Sequence, residues 1–437
     1  MRMDKKPFSP THEEENKKGE VKETSLAEQG AAPSTDTNDG ARPLGAKNQE
    51  LTDFVKETEE KKRREEKKKK RNWWIKTSLL LVLIGVSIYI LFPITKGLSK
   101  EGTRGFAEMV KGANLYYFLL LIGVVLLYIV FESFQYSYIL KTSTGKFRLR
   151  NSIKVAFLGK YYDAVTPLGT GGQPFQIYYL HKKDIPSGVA TAVPIIKYTM
   201  ATFAKGLVTI FFLSLTFIIL PREVTSTGHF IALYAVAWVS MFCNMLVPIV
   251  MVFGSIFPKA GKKLIMGIIK VLAKMHIVKH KYKVAKKYVK EMSEYRNAFR
   301  EILKQWWIVI PLLAICLIAV LINFSIPFFT SLALANTSPT GDLWLQMFCG
   351  GLIAYYAASL VPTPGNSGVI DITSALVFAS VLNTVQGGAG GAVAAWVILV
   401  WRFFTFYVYV FAGVGINIFE IIRSAVRNRR AKKHQST

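Results

Sequence analysis

Charged side chains lie deep inside long apolar stretches of this chain. Arg402 is the only Lys, Arg, Asp or Glu between Ala392 and Phe419, and Lys205 lies midway along another apolar run. Membrane-insertion scales assign an arginine at the centre of a membrane helix a cost of about 2.5–3.5 kcal/mol. Cations at this depth usually face the protein interior and bind a carboxylate, a carbonyl or an anionic ligand. The first chemistry that the sequence indicates is therefore anion binding inside a membrane.

The candidate partners of these cations are also visible in the sequence. Asp371 is the expected protein partner of Arg402, and a lipid phosphate is the functional alternative; a pair that only fixes packing is a third possibility. Glu132 is expected to pair with Lys205 or with Lys197, which lies about two turns before Lys205. Lys197 is near enough to a helix end that we expect it to snorkel to the cytosolic interface.

Proline and glycine interrupt two of the apolar regions. The first break is TPLGTGGQP at 166–174, and the second is VPTPGNSG at 361–368. Proline lacks a backbone donor and glycine leaves backbone exposed, so such segments are tolerated at membrane depth only against protein or a watery cavity. Interruptions at corresponding places in two halves of a membrane chain are the best sequence indication of a transport site.

Backbone and amide groups at the breaks are candidate ligands for a polar molecule. Helices that restart after a break present N–H groups and the positive end of the helix dipole. Asp163 precedes the first break and is expected to cap or line its mouth. The candidate substrate-binding residues are Pro167, Gly171, Gly172, Gln173, Gln176, Lys205, Pro364, Gly365, Asn366, Gly368, Asp371 and Arg402. The candidate charge partners are Glu132, Asp163 and Lys197.

Other chemistry-bearing residues predict no further site. Cys243, Cys316 and Cys349 lie in apolar segments without CxxC spacing, which is typical of packing residues. His276 and His280 are four residues apart but have no third ligand beside them. No Ser-His-Asp or Cys-His arrangement is visible. We therefore expect no catalytic residue, no metal and no cofactor.

The elements that must hold these side chains are membrane helices. Of 437 residues, 51% are hydrophobic, and the mean hydropathy is +0.29. Several apolar runs reach the roughly 20 residues that span a bilayer core. The net charge of +27 is concentrated on one side of these runs, which indicates positive-inside topology and not a nucleic-acid surface. The predicted class is an all-α polytopic membrane protein.

Three regions divide the chain. Residues 1–72 are predicted to be a disordered basic cytosolic tail, residues 73–422 the membrane domain, and residues 423–437 a second basic cytosolic tail. The basic run at 61–71 is expected either to bind acidic lipid heads or to act as a topology signal alone. The six predicted spans lie at about 74–93, 115–140, 189–220, 229–257, 306–328 and 392–419.

The two broken regions are predicted to be re-entrant hairpins that enter from opposite sides. Basic residues flank the region at about 155–180, which places its ends in the cytosol, whereas the region at about 343–382 lacks them and is expected to enter from outside. Opposed hairpins suggest an inverted structural repeat, although the two halves share no clear residue-level repeat. The basic loop at 258–305 is predicted to carry amphipathic helices in the cytosolic interface.

Three segments together resemble a known family. They are TPLGTGGQPFQIYYL (166–180), VPTPGNSGVID (361–371) and VWRFFTFYVYVFAG (400–413). In order and spacing they are similar to the transmembrane, flippase-like domain of lysylphosphatidylglycerol synthases (multiple peptide resistance factors) and their stand-alone relatives, over roughly residues 73–422. Two positions depart from the family pattern: Asp371 stands where a glutamate is usual, and Gly169 where an alanine is frequent.

The resemblance implies a phospholipid flippase of a bacterial cytoplasmic membrane. The loop charges place both termini in the cytosol. The implied substrate is lysylphosphatidylglycerol or a related aminoacyl phospholipid, and the implied role is resistance to cationic antimicrobial peptides. Arg402 and Lys205 would meet the phosphate, and Asp371 would meet an ammonium group or hold Arg402. The expected partners are the phospholipid, the anionic membrane surface and a separate lipid-modifying synthase.

The alternative function is that of a phosphatidylglycerol lysyltransferase, which takes lysine from lysyl-tRNA. In the family this activity belongs to a large soluble domain after the last span. About 15 residues follow Ile422, so we expect that domain to be missing and expect no nucleic-acid partner unless the transferase alternative holds. A third alternative, an accessory protein that recruits a partner through its basic tail, leaves Arg402 unexplained.

Overall fold

The described part of the computed structural model is helical. It covers residues 105–166, 169, 171–257, 305–386 and 390–434, with a few single positions before residue 94. All of these belong to one compact unit, Leu81–Thr437. The N-terminal tail, the loop at 258–304 and most of the first predicted span, 74–93, lie outside the described residues.

The described helices follow one another closely along the chain. In order they are α1 Phe106–Gly112, α2 Leu115–Thr144, α3 Leu149–Ala164, α4 Gly172–His181, α5 Ser187–Ser214, α6 Thr216–Ile219, α7 Arg222–Thr225, α8 Gly228–Ile256, α9 Trp306–Ala335, α10 Gly341–Ser359, α11 Val369–Val385, α12 Gly391–Arg402, a π-helical segment Phe403–Tyr407, and α13 Val408–His434.

Five stretches in the described part are long and apolar enough to cross a membrane. They are α2, α5, Gly228–Val250 within α8, α9, and Gly391–Glu420, which runs from α12 through the π-helical segment into α13. These correspond to the second to sixth predicted spans, so the prediction of an all-α polytopic membrane protein is confirmed. Large apolar side chains remain exposed on the outer faces of α2 and α8, such as Leu126 and Phe242, as expected of surfaces that contact lipid.

The last span differs from the uninterrupted helix that its composition predicts. α12 ends at Arg402, and the next five residues form the π-helical segment. π-helical turns are rare and occur mostly at functional sites. Helix α13 then continues to His434, so residues 423–434, predicted as a tail, prolong the span as a helix.

Each break joins two helices that pack against each other. The first hairpin consists of α3 and α4, and the second of α10 and α11. The packing order repeats in the two halves, because α2 packs on α3 and α4 on α5, while α9 packs on α10 and α11 on α12. This repeated order supports the inverted-repeat hypothesis.

The second hairpin opens at the end of the bundle where α2 begins. The backbone N–H of Asn114, which precedes α2, donates to the Ala333 carbonyl near the end of α9 (2.8 Å). The Gln386 side chain, just after α11, donates to the Ala335 carbonyl. Helix α10 starts six residues after α9 ends, so both arms of this hairpin meet the same end of the bundle.

The first hairpin opens at the opposite end. Helix α3 starts five residues after α2 ends, and α2 has 30 residues, which is about 45 Å of helix. Near this end the Glu420 carboxylate pairs with Lys154 of α3 (3.3 Å) and with Lys183, just after α4 (3.4 Å). The two hairpins therefore point toward each other from opposite ends of the bundle, as the sequence predicts.

Sided labelling tests which end faces the cytosol. In a chain whose native cysteines are replaced by serine, we expect Lys182→Cys to react with a membrane-impermeant thiol reagent only after cells are opened, and Thr384→Cys to react in intact cells. Both side chains are exposed, and the loop charges place their ends on opposite sides. Labelling of both positions from one side would contradict the opposed entry of the hairpins.

Candidate functional site: a charged cavity between the two breaks

The two breaks meet at a cavity of about 310 Å³. Its wall includes Gly169 and Gln173 from the first break and Gly365 and Asn366 from the second. A neighbouring cavity of about 220 Å³ shares Gly365 and Asn366 and reaches Arg402. The fold thus brings residues from both interrupted motifs to one place inside the bundle.

The cavity walls carry charges of both signs. Lys160 of α3 and Lys197 and Lys205 of α5 line both cavities, as does Glu132 of α2. Asp163 of α3 lines the first cavity only. Such a surface can bind a charged ligand, and its cations outnumber its carboxylates.

Lys197 and Glu132 form an ion pair inside the bundle. Their side chains are only 11% and 7% exposed, so the expectation that Lys197 snorkels to the interface is wrong. A carboxylate on the facing helix compensates the ammonium charge within the protein, and the lysine has no need to reach water. Of the two partners considered for Glu132, the structure selects Lys197.

Lys205 and Lys160 are instead held by tyrosines. The Lys205 ammonium donates to the Tyr355 hydroxyl (2.9 Å) and lies 4.3 Å from the centre of that ring. The Lys160 ammonium donates to the Tyr128 hydroxyl (2.9 Å) and lies 5.9 Å from the ring centre of Tyr409. Among the described residues neither lysine forms an ion pair, and the hydrogen-bond partner described for each ammonium is a tyrosine hydroxyl.

Arg402 is fixed beside the second break by several contacts. Its Nε lies 3.2 Å from Asp371 Oδ1, and an Nη donates to the Ser367 hydroxyl (3.1 Å). The guanidinium also lies 4.4 Å from the ring centre of Phe406. Asp371 is fully buried, and its second oxygen accepts from the Gly368 N–H (3.0 Å). Of the two roles expected for Asp371, the geometry supports the holding of Arg402.

Carboxylates of the chain occupy the helix starts after both breaks. The Gly172 N–H at the start of α4 donates to Asp163 Oδ1 (2.8 Å), and the Gly368 N–H before α11 donates to Asp371. One N–H at each helix start is therefore already bound by a carboxylate of the chain itself. A negative side chain at a helix N-terminus already satisfies the donor and the dipole.

The sharp turn of the second break depends on glycine. Gly365 and Gly368 have φ of +58° and +83°, and Asn366 has φ of +55°. A Cβ on Gly365 would overlap the Phe406 ring. Glycine permits this left-handed backbone and this close approach, which let the break contact the π-helical segment.

The remaining predicted residues divide into lining and supporting groups. Gln176 lines the first cavity, but its amide is already used, donating to the Tyr136 hydroxyl (2.8 Å) and the Val155 carbonyl (3.2 Å). The predicted residues that line neither cavity are Gly171, Gly172, Pro364, Gly368 and Asp371. Pro167 lies outside the described residues.

Sequence reasoning missed the residues that complete the site, above all Lys160 and the tyrosines Tyr128, Tyr355 and Tyr409. Lys160 lies in an apolar hairpin and could have been found by the rule that selected Lys205. The tyrosines carry no such signal, because membrane helices contain many aromatic residues. The described residues contain no group of three His, Cys, Asp or Glu side chains able to hold a metal ion.

Fold and site together define a polytopic α-helical membrane protein with a charged cavity between two opposed hairpins. Residues 75–413 match the family described as the lysylphosphatidylglycerol synthase TM region, and the chain belongs to this family. The resemblance carried by the three sequence motifs is thereby confirmed. A search of curated proteins found no match.

Separating Arg402 from Asp371 should destabilise the protein. We expect Asp371→Asn or Arg402→Gln to cost about 3–5 kcal/mol, because each leaves a buried charge without its counterion. The double variant should lose less than the sum of the two. Thermal unfolding in detergent measures this, with the exposed Asp342→Asn as the matched control. Strictly additive losses would contradict a coupled pair.

Gly365→Ala should also lower the unfolding temperature. Left-handed backbone costs a residue with a Cβ about 1–2 kcal/mol, and overlap with a packed ring adds about 1–3 kcal/mol. The control is Gly415→Ala, where an added Cβ meets no atom within 4 Å. Equal unfolding temperatures for the two variants would show that the turn does not need glycine.

Proposed function

We propose that this protein moves a phospholipid between the leaflets of the membrane by binding its head group in the cavity between the two breaks. The observation that carries the proposal is the pair of lysines, Lys160 and Lys205, whose ammonium groups face the cavity with tyrosine hydroxyls as partners. A phosphodiester would supply the ion-pair contact that neither lysine makes among the described residues. Charge-assisted hydrogen bonds to phosphate are about twice as strong as neutral ones.

The size of the cavity favours a head group over a whole lipid. Its volume of about 310 Å³ lies at the small end of the roughly 300–1,000 Å³ typical of ligand pockets. In this proposal the acyl chains stay in the bilayer while the head group enters between the hairpins. Alternating exposure of the site by the two halves then releases the head group on the other side.

The family suggests a lipid substrate and a biological role. We infer that the substrate is lysylphosphatidylglycerol or a related aminoacyl phospholipid, made by a separate synthase, in the cytoplasmic membrane of a bacterium. Both termini and their basic tails would face the cytosol and contact the anionic membrane surface. Moving a cationic lipid outward would lower the negative charge of the outer surface and repel cationic antimicrobial peptides.

The competing activity is lysyl transfer from lysyl-tRNA to phosphatidylglycerol, which the family's name mentions. It would make tRNA a partner. Neither described cavity is lined by a histidine that could act as a general base. The cavity charges match phospholipid binding more directly than they match acyl transfer.

Transport is tested in vesicles that contain purified protein and lysylphosphatidylglycerol in the inner leaflet. We expect wild-type protein to expose the lipid to an impermeant amine reagent, and Lys160→Gln with Lys205→Gln to slow this at least tenfold, because the phosphate loses both cations. Lys141→Gln, an exposed lysine outside the cavities, is the control.

Two outcomes would overturn the proposal. One is a wild-type protein that moves no phospholipid above the rate of empty vesicles. The other is the formation of lysyl-lipid from added lysyl-tRNA and phosphatidylglycerol, which would establish the transferase instead.

A further inference from the structure

We propose that Asp163 selects head groups that carry an ammonium group, an inference that rests on the proposed function. Asp163 and Lys160 are three residues apart on α3, so their side chains lie on neighbouring positions of one helix face. Both line the same cavity. The cavity therefore presents a cation and an anion about one helical turn apart.

The other two carboxylates of this region are paired with cations. Glu132 pairs with Lys197, and Asp371 pairs with Arg402. Asp163 forms no ion pair among the described residues, and its described hydrogen bond there is from the Gly172 N–H to Oδ1. Lys160 and Lys197 act on it from beyond ion-pair distance. It is thus the cavity carboxylate that no cation of the described residues contacts directly.

A carboxylate at this depth is costly unless a positive group compensates it. An ammonium group in the substrate would complete this compensation, while the phosphate of the same head group binds Lys160 and Lys205. A head group without an ammonium would leave Asp163 facing a neutral or negative group. Discrimination of this kind works by penalising the wrong ligand as well as by stabilising the right one.

A structural role for Asp163, as the cap of α4, makes a different prediction. In Asp163→Asn the amide oxygen can still accept from the Gly172 N–H, so the cap is kept while the charge is lost. The variant therefore separates the two roles. Asp184→Asn is the matched control, because it removes the same charge from an exposed residue beyond α4.

The experiment measures the binding of two short-chain probes to the full-length protein in detergent. The probes are dihexanoyl lysylphosphatidylglycerol and the same lipid with both amines acetylated, which removes the ammonium charges and adds two small acetyl groups. We expect wild type and Asp184→Asn to prefer the free-amine probe at least tenfold, and Asp163→Asn to lose most of this preference while still binding the acetylated probe.

The inference fails if Asp163→Asn weakens both probes equally, if the preference is unchanged, or if wild type binds neither probe or does not distinguish them. Its failure is distinct from failure of the transport proposal. If the probe preference depends on Asp163 but the protein moves no lipid, only the transport proposal is contradicted. If the protein moves lipid but its preference for the free-amine probe does not depend on Asp163, only the proposed selection by Asp163 is contradicted.

Discussion

The constraint on which this structure depends is that a charge inside a membrane must meet its opposite within the protein. Asp371 satisfies this constraint for Arg402, and with its second oxygen it also holds the Gly368 N–H. One carboxylate therefore fixes the start of α11 and the end of α12 relative to each other. An Arg402 Nη also donates to the Gly365 carbonyl (3.5 Å), so the same arginine contacts the turn that forms part of the cavity wall.

The same constraint gives the two breaks different characters. An aspartate accepts a glycine N–H at both, but only the second aspartate is closed off by an arginine and fully buried. Asp163 remains part of the cavity wall. The carboxylate of the second break lines neither cavity, whereas the carboxylate of the first break is part of a cavity wall.

The membrane spans and the two hairpin turns could be predicted from the sequence, because the features that indicate them are local in the chain. Apolar length located the second to sixth spans, and Pro and Gly located the two hairpin turns. The Arg402–Asp371 pair followed from the cost of an uncompensated arginine. Lys197 was misjudged because its partner Glu132 lies 65 residues earlier on another helix, and sequence alone did not decide between that partner and the interface.

The tyrosines that hold Lys160 and Lys205 could not be predicted for a related reason. Tyr128 and Tyr355 come from different helices, and nothing in their sequence neighbourhood separates them from packing residues. The π-helical segment after Arg402 is also invisible to composition, since its residues are as apolar as those of an α-helix. These features arise from packing between distant elements.

The bridge from Glu420 to Lys154 and Lys183 has a mechanical consequence. Glu420 lies 18 residues after Arg402 on the same continuous helical rod, a separation of about 27 Å. Arg402 forms an ion pair with Asp371 at the start of α11 in the second hairpin. Glu420 forms ion pairs with Lys154 and Lys183, which lie at the open end of the first hairpin. A movement of one hairpin relative to the other would have to bend the last span, slide it, or break one of these ion pairs. The last span therefore couples the two hairpins mechanically.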